Sequence, residues 1–191
     1  MSTADQPVIR SRSLDGDTLF IVDGLFRPDL VRMLHASLKL LPFRLSDRDT
    51  PEHDHVRHWR YDFPFEDLER NPLMRQWRDI IVGKARELLP GMTGRLVEVY
   101  SNNHGYGDHQ HAHVDTPATA TVLYYANAEW NEDWQGETVI YDGNDDPYYS
   151  VAPRPGRLLI FPSRLAHRGG TPSRTCLERR LVVVFKFGGA A

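Results

Sequence analysis

The chain has 191 residues, 40% of them hydrophobic, a formal charge of -3, 23 basic residues and a single cysteine, Cys176. That is enough apolar material for one domain with its own core, and one domain spanning residues 1–191 is the expectation. The basic residues are scattered, so nothing points to a nucleic-acid partner, and one cysteine allows no intrachain disulfide and no multi-thiolate zinc site. The polar start MSTADQPVIRSR is read as a short arm, no apolar stretch approaches membrane-spanning length, and the chain reads as soluble and cytoplasmic.

Taken in order, DTLFIVDG (17–24) has strand character. Pro28 then opens a helix with an apolar stripe at Leu30, Met33, Leu34, Leu38 and Leu41. A second helix starts at Asn71 and Pro72, a cap followed by a first-turn proline. It carries Leu73, Trp77, Ile80, Ile81, Ala85 and Leu88 before Pro90 and Gly91 end it. Both stripes require a flat surface to cover. The intervening SDRDTPEHDHVRHWRYDFPFED (46–67) reads as a connection with one strand at HWRYDF, and its His53, His55 and His58 as a solvated loop or a substrate-facing one. From Arg95 onward short strand-like runs follow, namely RLVEVYS, HAHVD, TATVLYYAN, ETVIYD, YYSVAP, GRLLIFP and RLVVVFKFG. Turn-rich segments such as NNHGYGD, EWNEDWQG, DGNDDP and RGGTPSR separate them. Such a series argues a β-sandwich or barrel backed by the two helices, with helical support over about 17–92 and the β core over about 94–188.

The stretch GDHQHAHVDT places His109, His111, His113 and Asp115 on every second position, which in an extended chain sends them to one face. His113-x-Asp115 offers one nitrogen and one oxygen ligand. The third candidate lies in GRLLIFPSRLAHRGG, where His167 opens a strand after the turn at Pro162 and Ser163 and faces back into a barrel. Two histidines and one carboxylate make the facial triad of non-haem iron(II) oxygenases, a set that leaves coordination positions open for catalysis. His109 and His111 remain as loop residues near the site mouth or incidental metal binders.

The segments VEVYSNNHGYGDHQHAHVD, LYYANAEWNEDWQGET, VAPRPGRLLIFPSRLAH and PSRTCLERRLVVVFKF, in this order, resemble the iron(II)- and 2-oxoglutarate-dependent dioxygenases, within them the prolyl-4-hydroxylase-like branch. The resemblance runs from about Leu96 to Phe187. It implies a mostly β fold with N-terminal helices, a double-stranded β-helix (jelly-roll or cupin-like) barrel with helices packed on its major sheet. It implies Fe(II) on His113, Asp115 and His167, with 2-oxoglutarate and O2 as cosubstrates and ascorbate in support. The implied reaction hydroxylates an unactivated C–H bond with release of succinate and CO2; related halogenases have a small residue where this chain has Asp115.

The family also anchors the distal carboxylate of 2-oxoglutarate on a strand after the distal histidine, and Arg179 and Arg180 both stand there. Adjacent strand residues point to opposite faces. If Arg180 points inward, Val182 and Val184 line the cosubstrate pocket, and Leu181, Val183 and Phe185 pack beneath the helices. Arg180, five residues before the Phe185–Lys186 pair, fits the family better, with Arg179 as fallback. The resemblance adds Tyr125 of YYAN to the same carboxylate, Tyr100 near the cosubstrate and Thr138 of GET looking into the pocket. Packing is the competing role for each. Trp130 and Trp134 are expected to staple the turn before GET, and Arg57, Arg60, Tyr106 and Arg168 to lie near the mouth. The substrate is expected to be a small molecule, an amino acid or a peptidyl residue, and nothing in the sequence sets an oligomeric state. Two other classes stay open from the residues: a cupin-like metalloenzyme that does not use 2-oxoglutarate, and a non-enzymatic β-sandwich binding module.

Overall fold

The computed structural model describes residues 6–47, 57–108 and 110–188. The strands are β1 (Val8–Leu14), β2 (Asp17–Asp23), β3 (Arg44–Asp47), β4 (His58–Asp62), β5 (Leu96–His104), β6 (Ala120–Tyr125), β7 (Thr138–Tyr141), β8 (Pro147–Val151), β9 (Leu158–Pro162), β10 (His167–Gly169) and β11 (Arg180–Phe187). The helices are α1 (Pro28–Leu38), α2 (Phe65–Arg70) and α3 (Pro72–Leu88). Eight strands form one antiparallel sheet in the order β1-β2-β9-β6-β11-β5-β4-β3, and three form a small sheet, β10-β7-β8.

β11 explains how the layers stack. Every residue of RLVVVFKF except Lys186 is buried, because the strand lies in the middle of the large sheet with both faces covered. Leu181, Val183, Phe185 and Phe187 join Val122, Tyr124, Leu158 and Ile160 in a core shared with Leu34 and Leu38 of α1 and Trp77, Ile81 and Ala85 of α3. Val182 and Val184, on the opposite face, join Leu123, Tyr125, Leu159 and Phe161 in a second core, to which the small sheet adds Ile140 and Val151. α3 starts as its sequence dictates: Pro72 sits in the first turn, and Oδ1 of Asn71 accepts hydrogen bonds from the amides of Leu73 (3.0 Å) and Met74 (3.3 Å). Trp77 is fully buried, with its ring 5.1 Å from Tyr124 and 5.3 Å from Phe185 in edge contacts.

Several expectations are corrected. The polar arm is in large part a strand: β1 pairs along its length with β2 as an edge of the large sheet. It shows no apolar alternation because only Leu14 of it is buried. The connection over 46–67 holds β4 where HWRYDF stands, and beside it β3 and α2; α2 escapes a periodicity reading since Leu68 is its one buried residue. HAHVD is not a strand but an irregular segment with a single bridge, His113 to His167. In α1, Met33 is 55% exposed, while Val31, Leu34 and Leu38 make the buried face. Among the described residues the strands make two sheets and no closed barrel, since β10 pairs over only three residues with β7.

Trp77→Ala removes the largest side chain between α3 and the sheet. It should destabilise the fold by about 3–5 kcal/mol, read as a lowered urea midpoint at unchanged slope.

Candidate metal centre

Two backbone hydrogen bonds build the site. The amide of His113 donates to the carbonyl of His167 (3.0 Å) and the amide of His167 to that of His113 (2.9 Å), so the segment after β5 and the start of β10 are clipped face to face. The amide of Asp115 then donates to the carbonyl of Ser163 at the end of β9 (2.9 Å). This brings His113, Asp115 and His167 together, with one possible ligand atom from each lying within 4.8 Å of the others.

The orientation of each donor has a visible cause. Nδ1 of His113 lies 2.9 Å from the carbonyl of His111, and Nδ1 of His167 lies 3.0 Å from that of Leu165. A carbonyl only accepts, so each Nδ1 carries the proton and each Nε2 of a neutral imidazole presents a lone pair. Those Nε2 atoms stand 3.6 and 3.5 Å from the Asp115 carboxylate oxygens. Burial, opposed by Asp115, pushes the His167 pKa down to about 4, so the ring is neutral at neutral pH. For Asp115, burial alone would raise the pKa, but His167, Lys186 and the Thr121 hydrogen bond outweigh it and hold the carboxyl below its usual range. Thr121 Oγ1 donates to Oδ2 at 2.6 Å and stands 2.8 Å from Ser163 Oγ. The donor set is thus two imidazoles that present Nε2 and one ionised carboxylate, which suits a divalent ion of intermediate softness such as ferrous iron.

A second polar cluster closes the other end of the cleft. Arg180 is 3% exposed; its Nε donates to the carbonyl of Gly136 (2.6 Å) and its Nη2 to Thr138 Oγ1 (2.8 Å). Tyr125 donates its hydroxyl proton to the same Thr138 Oγ1 (2.7 Å), and the guanidinium lies 5.6 Å from its ring centroid. Burial lowers the Arg180 pKa and Tyr125 opposes it, yet a guanidinium keeps its charge. Among the described residues no carboxylate forms an ion pair with Arg180. Arg179 points the other way, to Asn103 and Asp108, on the exposed side of the loop that leads to His113. Gly136 has φ +80°, and a Cβ there would lie 3.0 Å from the Trp130 ring and 3.2 Å from Arg180, so the turn presses the backbone against the guanidinium. The Trp130 and Trp134 rings meet edge to face at 5.5 Å over that turn.

One cleft connects the two clusters, lined by Tyr100, Asn102, His104, Gln110, Leu123, Gly169, Val182 and Val184 together with the triad, Thr138 and Arg180. The family model of the 2OG-Fe(II) oxygenase superfamily matches residues 97–187, a span that contains every one of these side chains. The β-rich part of the chain belongs to that superfamily.

The match reaches from β5 to β11, the part of the chain that carries both the triad and Arg180. The chain's fold is that of prolyl hydroxylases. A Pseudomonas putida prolyl-4-hydroxylase superposes with a TM-score of 0.62 at 17% identity, covering 87% of this chain and 90% of its own. A Trichoplax adhaerens prolyl hydroxylase, solved with a peptide fragment of the hypoxia inducible factor oxygen degradation domain, gives 0.65 at 19%, covering 90% and 83%. A Phytophthora capsici prolyl 4-hydroxylase gives 0.67 at 21%, covering 90% of this chain and 59% of its own. No curated protein matches the chain by sequence.

The cleft includes residues that the sequence reading passed over. Asn102 and His104 follow Tyr100 at alternate positions of β5, pairing in register with Val182 and Arg180, so Tyr100's parity was the signal for them. Gln110, whose Oε1 accepts from the Gly169 amide, had no such signal because its segment is irregular. Tyr125 meets Thr138 and Arg180 behind the cleft wall and is not part of its lining. His53, His55 and His109 lie outside the described residues. His58 is fully buried with its ring 5.1 Å from His104, so it is no solvated loop residue. Arg60 stacks at 3.6 Å on the Tyr100 ring and pairs with Asp62 at 2.6 Å and with Glu98, Arg168 donates to Tyr141 Oη (2.6 Å), Tyr106 is 69% exposed, and Arg57 is exposed. None of these four lines the cleft.

If Thr121 orients the Asp115 carboxylate, Thr121→Val should weaken Co(II) binding by about 10–100-fold. Anaerobic titration followed by the Co(II) d–d absorption measures it, with circular dichroism confirming the fold.

Proposed function

We propose that the protein is an Fe(II)- and 2-oxoglutarate-dependent hydroxylase acting on an unactivated C–H bond of a small molecule, an amino acid or a peptidyl residue, with release of succinate and CO2. The observation that carries this reading is Arg180: a fully buried guanidinium, without an ion pair among the described residues, faces one end of a cleft whose other end holds the triad. A buried cation needs an anionic partner, and the planar guanidinium fork matches a carboxylate. Thr138 and Tyr125 complete that anchor, and Tyr100 lines the cleft between anchor and triad.

In this reading His113, Asp115 and His167 hold the metal through Nε2, a carboxylate oxygen and Nε2. When bound, ferrous iron and 2-oxoglutarate supply, with O2, the oxidising power for C–H hydroxylation. The chain's own residues do the rest. The carbonyls of His111 and Leu165 keep both imidazoles in one tautomer, Thr121 and Lys186 hold the carboxylate, and Val182, Val184 and Leu123 keep the middle of the cleft dry. Ascorbate would act as a supporting reductant. The Trichoplax adhaerens neighbour was solved with a peptide, which keeps a peptidyl substrate in view. None of the described helices is long and apolar enough to cross a membrane. With its lone Cys176, we read the protein as one cytoplasmic domain.

Protein loaded anaerobically with Fe(II) and labelled 2-oxoglutarate, then exposed to O2, should form labelled succinate even without substrate; succinate no higher than in a protein-free control would overturn the assignment. His167→Ala should abolish that turnover. Arg180→Met should raise the 2-oxoglutarate concentration for half-maximal turnover by roughly 30-fold or more, since stripping the partner from a buried charge costs about 2 kcal/mol at least. Arg179→Met, an exposed pair, should change it by less than about fivefold. The reverse order would reassign the anchor.

A further inference from the structure

β11 presents Arg180, Val182, Val184 and Lys186 at alternate positions, so one strand face brings a cation to each end of the site. Arg180 faces the cosubstrate end. Lys186 faces Asp115: its Nζ lies 2.9 Å from Oδ1 of a carboxylate that is only 2% exposed, on a side chain itself 18% exposed. It is not among the residues lining the cleft, and its ammonium lies 5.3 Å from the centroid of the Tyr100 ring, which is among them. On the adjacent strand Thr121, opposite Lys186 in register, holds the other oxygen, Oδ2, at 2.6 Å. The two side chains thus hold one carboxylate oxygen each, Lys186 the oxygen 3.6 Å from Nε2 of His113 and Thr121 the oxygen 3.5 Å from Nε2 of His167.

Thr121 and the carbonyls of His111 and Leu165, which orient the three donors, are uncharged. Lys186 brings a full positive charge to the same place, and that has a consequence apart from orientation. One-electron oxidation of a bound ion from Fe(II) to Fe(III) adds a positive charge next to an existing one, in surroundings where burial weakens screening. The ferric state is penalised more than the ferrous state, and charge beside the ligands is one of the levers by which proteins set iron potentials.

We propose that Lys186 is a positioning residue of the metal centre that fixes the plane of the Asp115 carboxylate and, through its charge, favours ferrous over ferric iron. The inference rests on the triad being the iron site. Its couple is Fe(III) + e⁻ to Fe(II), with the electron exchanged with soluble redox mediators in the test.

The experiment compares wild type, Lys186→Gln, which keeps a donor and removes the charge, and Lys186→Arg, which keeps the charge. Each is loaded anaerobically with one equivalent of Fe(II) and titrated potentiometrically, the ferric form being read by its high-spin electron paramagnetic resonance signal. Lys186→Gln should shift the equilibrium at least tenfold toward ferric iron, a fall of about 59 mV or more, and Lys186→Arg should stay near wild type. A Lys186→Gln potential equal to wild type, or an equal fall in Lys186→Arg, overturns the inference. Should Lys186→Gln lose iron, Lys186→Arg decides: iron retained at the wild-type potential supports the role, and iron lost or the potential changed overturns it. Wild type that binds no iron at all would instead remove the metal reading of the triad, and this inference with it.

Discussion

The structure turns on a pair of backbone hydrogen bonds, the reciprocal exchange between His113 and His167 at 3.0 and 2.9 Å. Among the described residues the sheets are otherwise separate in their strand pairing: β10 belongs to the small sheet, and His113 leaves the end of the large one through an irregular loop. Because this bridge pairs the two histidines directly, their rings fall side by side, with centroids 4.6 Å apart. No regular strand carries Asp115; its own amide bond to Ser163 brings it beside them, at the point where β9 has just ended. The side chain then meets Thr121 on β6, whose hydroxyl is itself against Ser163. A site assembled this way depends on main chain from both layers, so sliding either layer by one residue would turn the imidazoles to opposite faces.

Burial gives the arrangement its chemistry. Exposed, an arginine and an aspartate would be satisfied by water. Arg180 on the central strand β11 has Tyr125 beside it and Gly136 pressed onto it, and Asp115 is enclosed to 5% exposure. Both keep their charge in an environment that penalises it, but Asp115 is met by Lys186 and Thr121, whereas Arg180 has no carboxylate against it among the described residues and calls for an anion. At the other end the Nε2 atoms of His113 and His167 gather beside the Asp115 carboxylate, a donor set that suits a cation. A single molecule bearing a carboxylate, reaching toward a metal ion, answers both needs along one line.

Sequence alone reaches far in the regular parts of this molecule and less far elsewhere. The two amphipathic helices and the β-rich half are written in period and turn chemistry, and Asn71 with Pro72 marks the start of α3 to the residue. Parity on RLVVVFKF separates Arg180 from Arg179 because a strand covered on both faces must alternate between two cores, and the residues of β11 do divide that way. What pattern missed was held by something other than pattern. β1 is an edge strand whose side chains are mostly exposed, and its place is set by hydrogen bonds to β2. The H-x-D segment carries strand-like alternation without being a strand, since its neighbours Gly105 and Gly107 and the Asp108 carboxylate bound to the Gly105 amide shape a loop. Asn102 and His104 were within reach of the same parity argument once Tyr100 was given to the cleft.

β11 shows how one strand can set both the fold and the electrostatics of a site. Its outward residues weld the sheet to α1 and α3, and that packing fixes the register of the inward ones. Arg180 and Lys186 are consequently held at opposite ends of the inward face by the same apolar contacts. A core substitution that shifted β11 against β6 would move Lys186 off Asp115 and Arg180 off Thr138 in one step, although it touched neither charge. The hydrophobic seam beneath the helices therefore acts on the chemistry of the cleft through register.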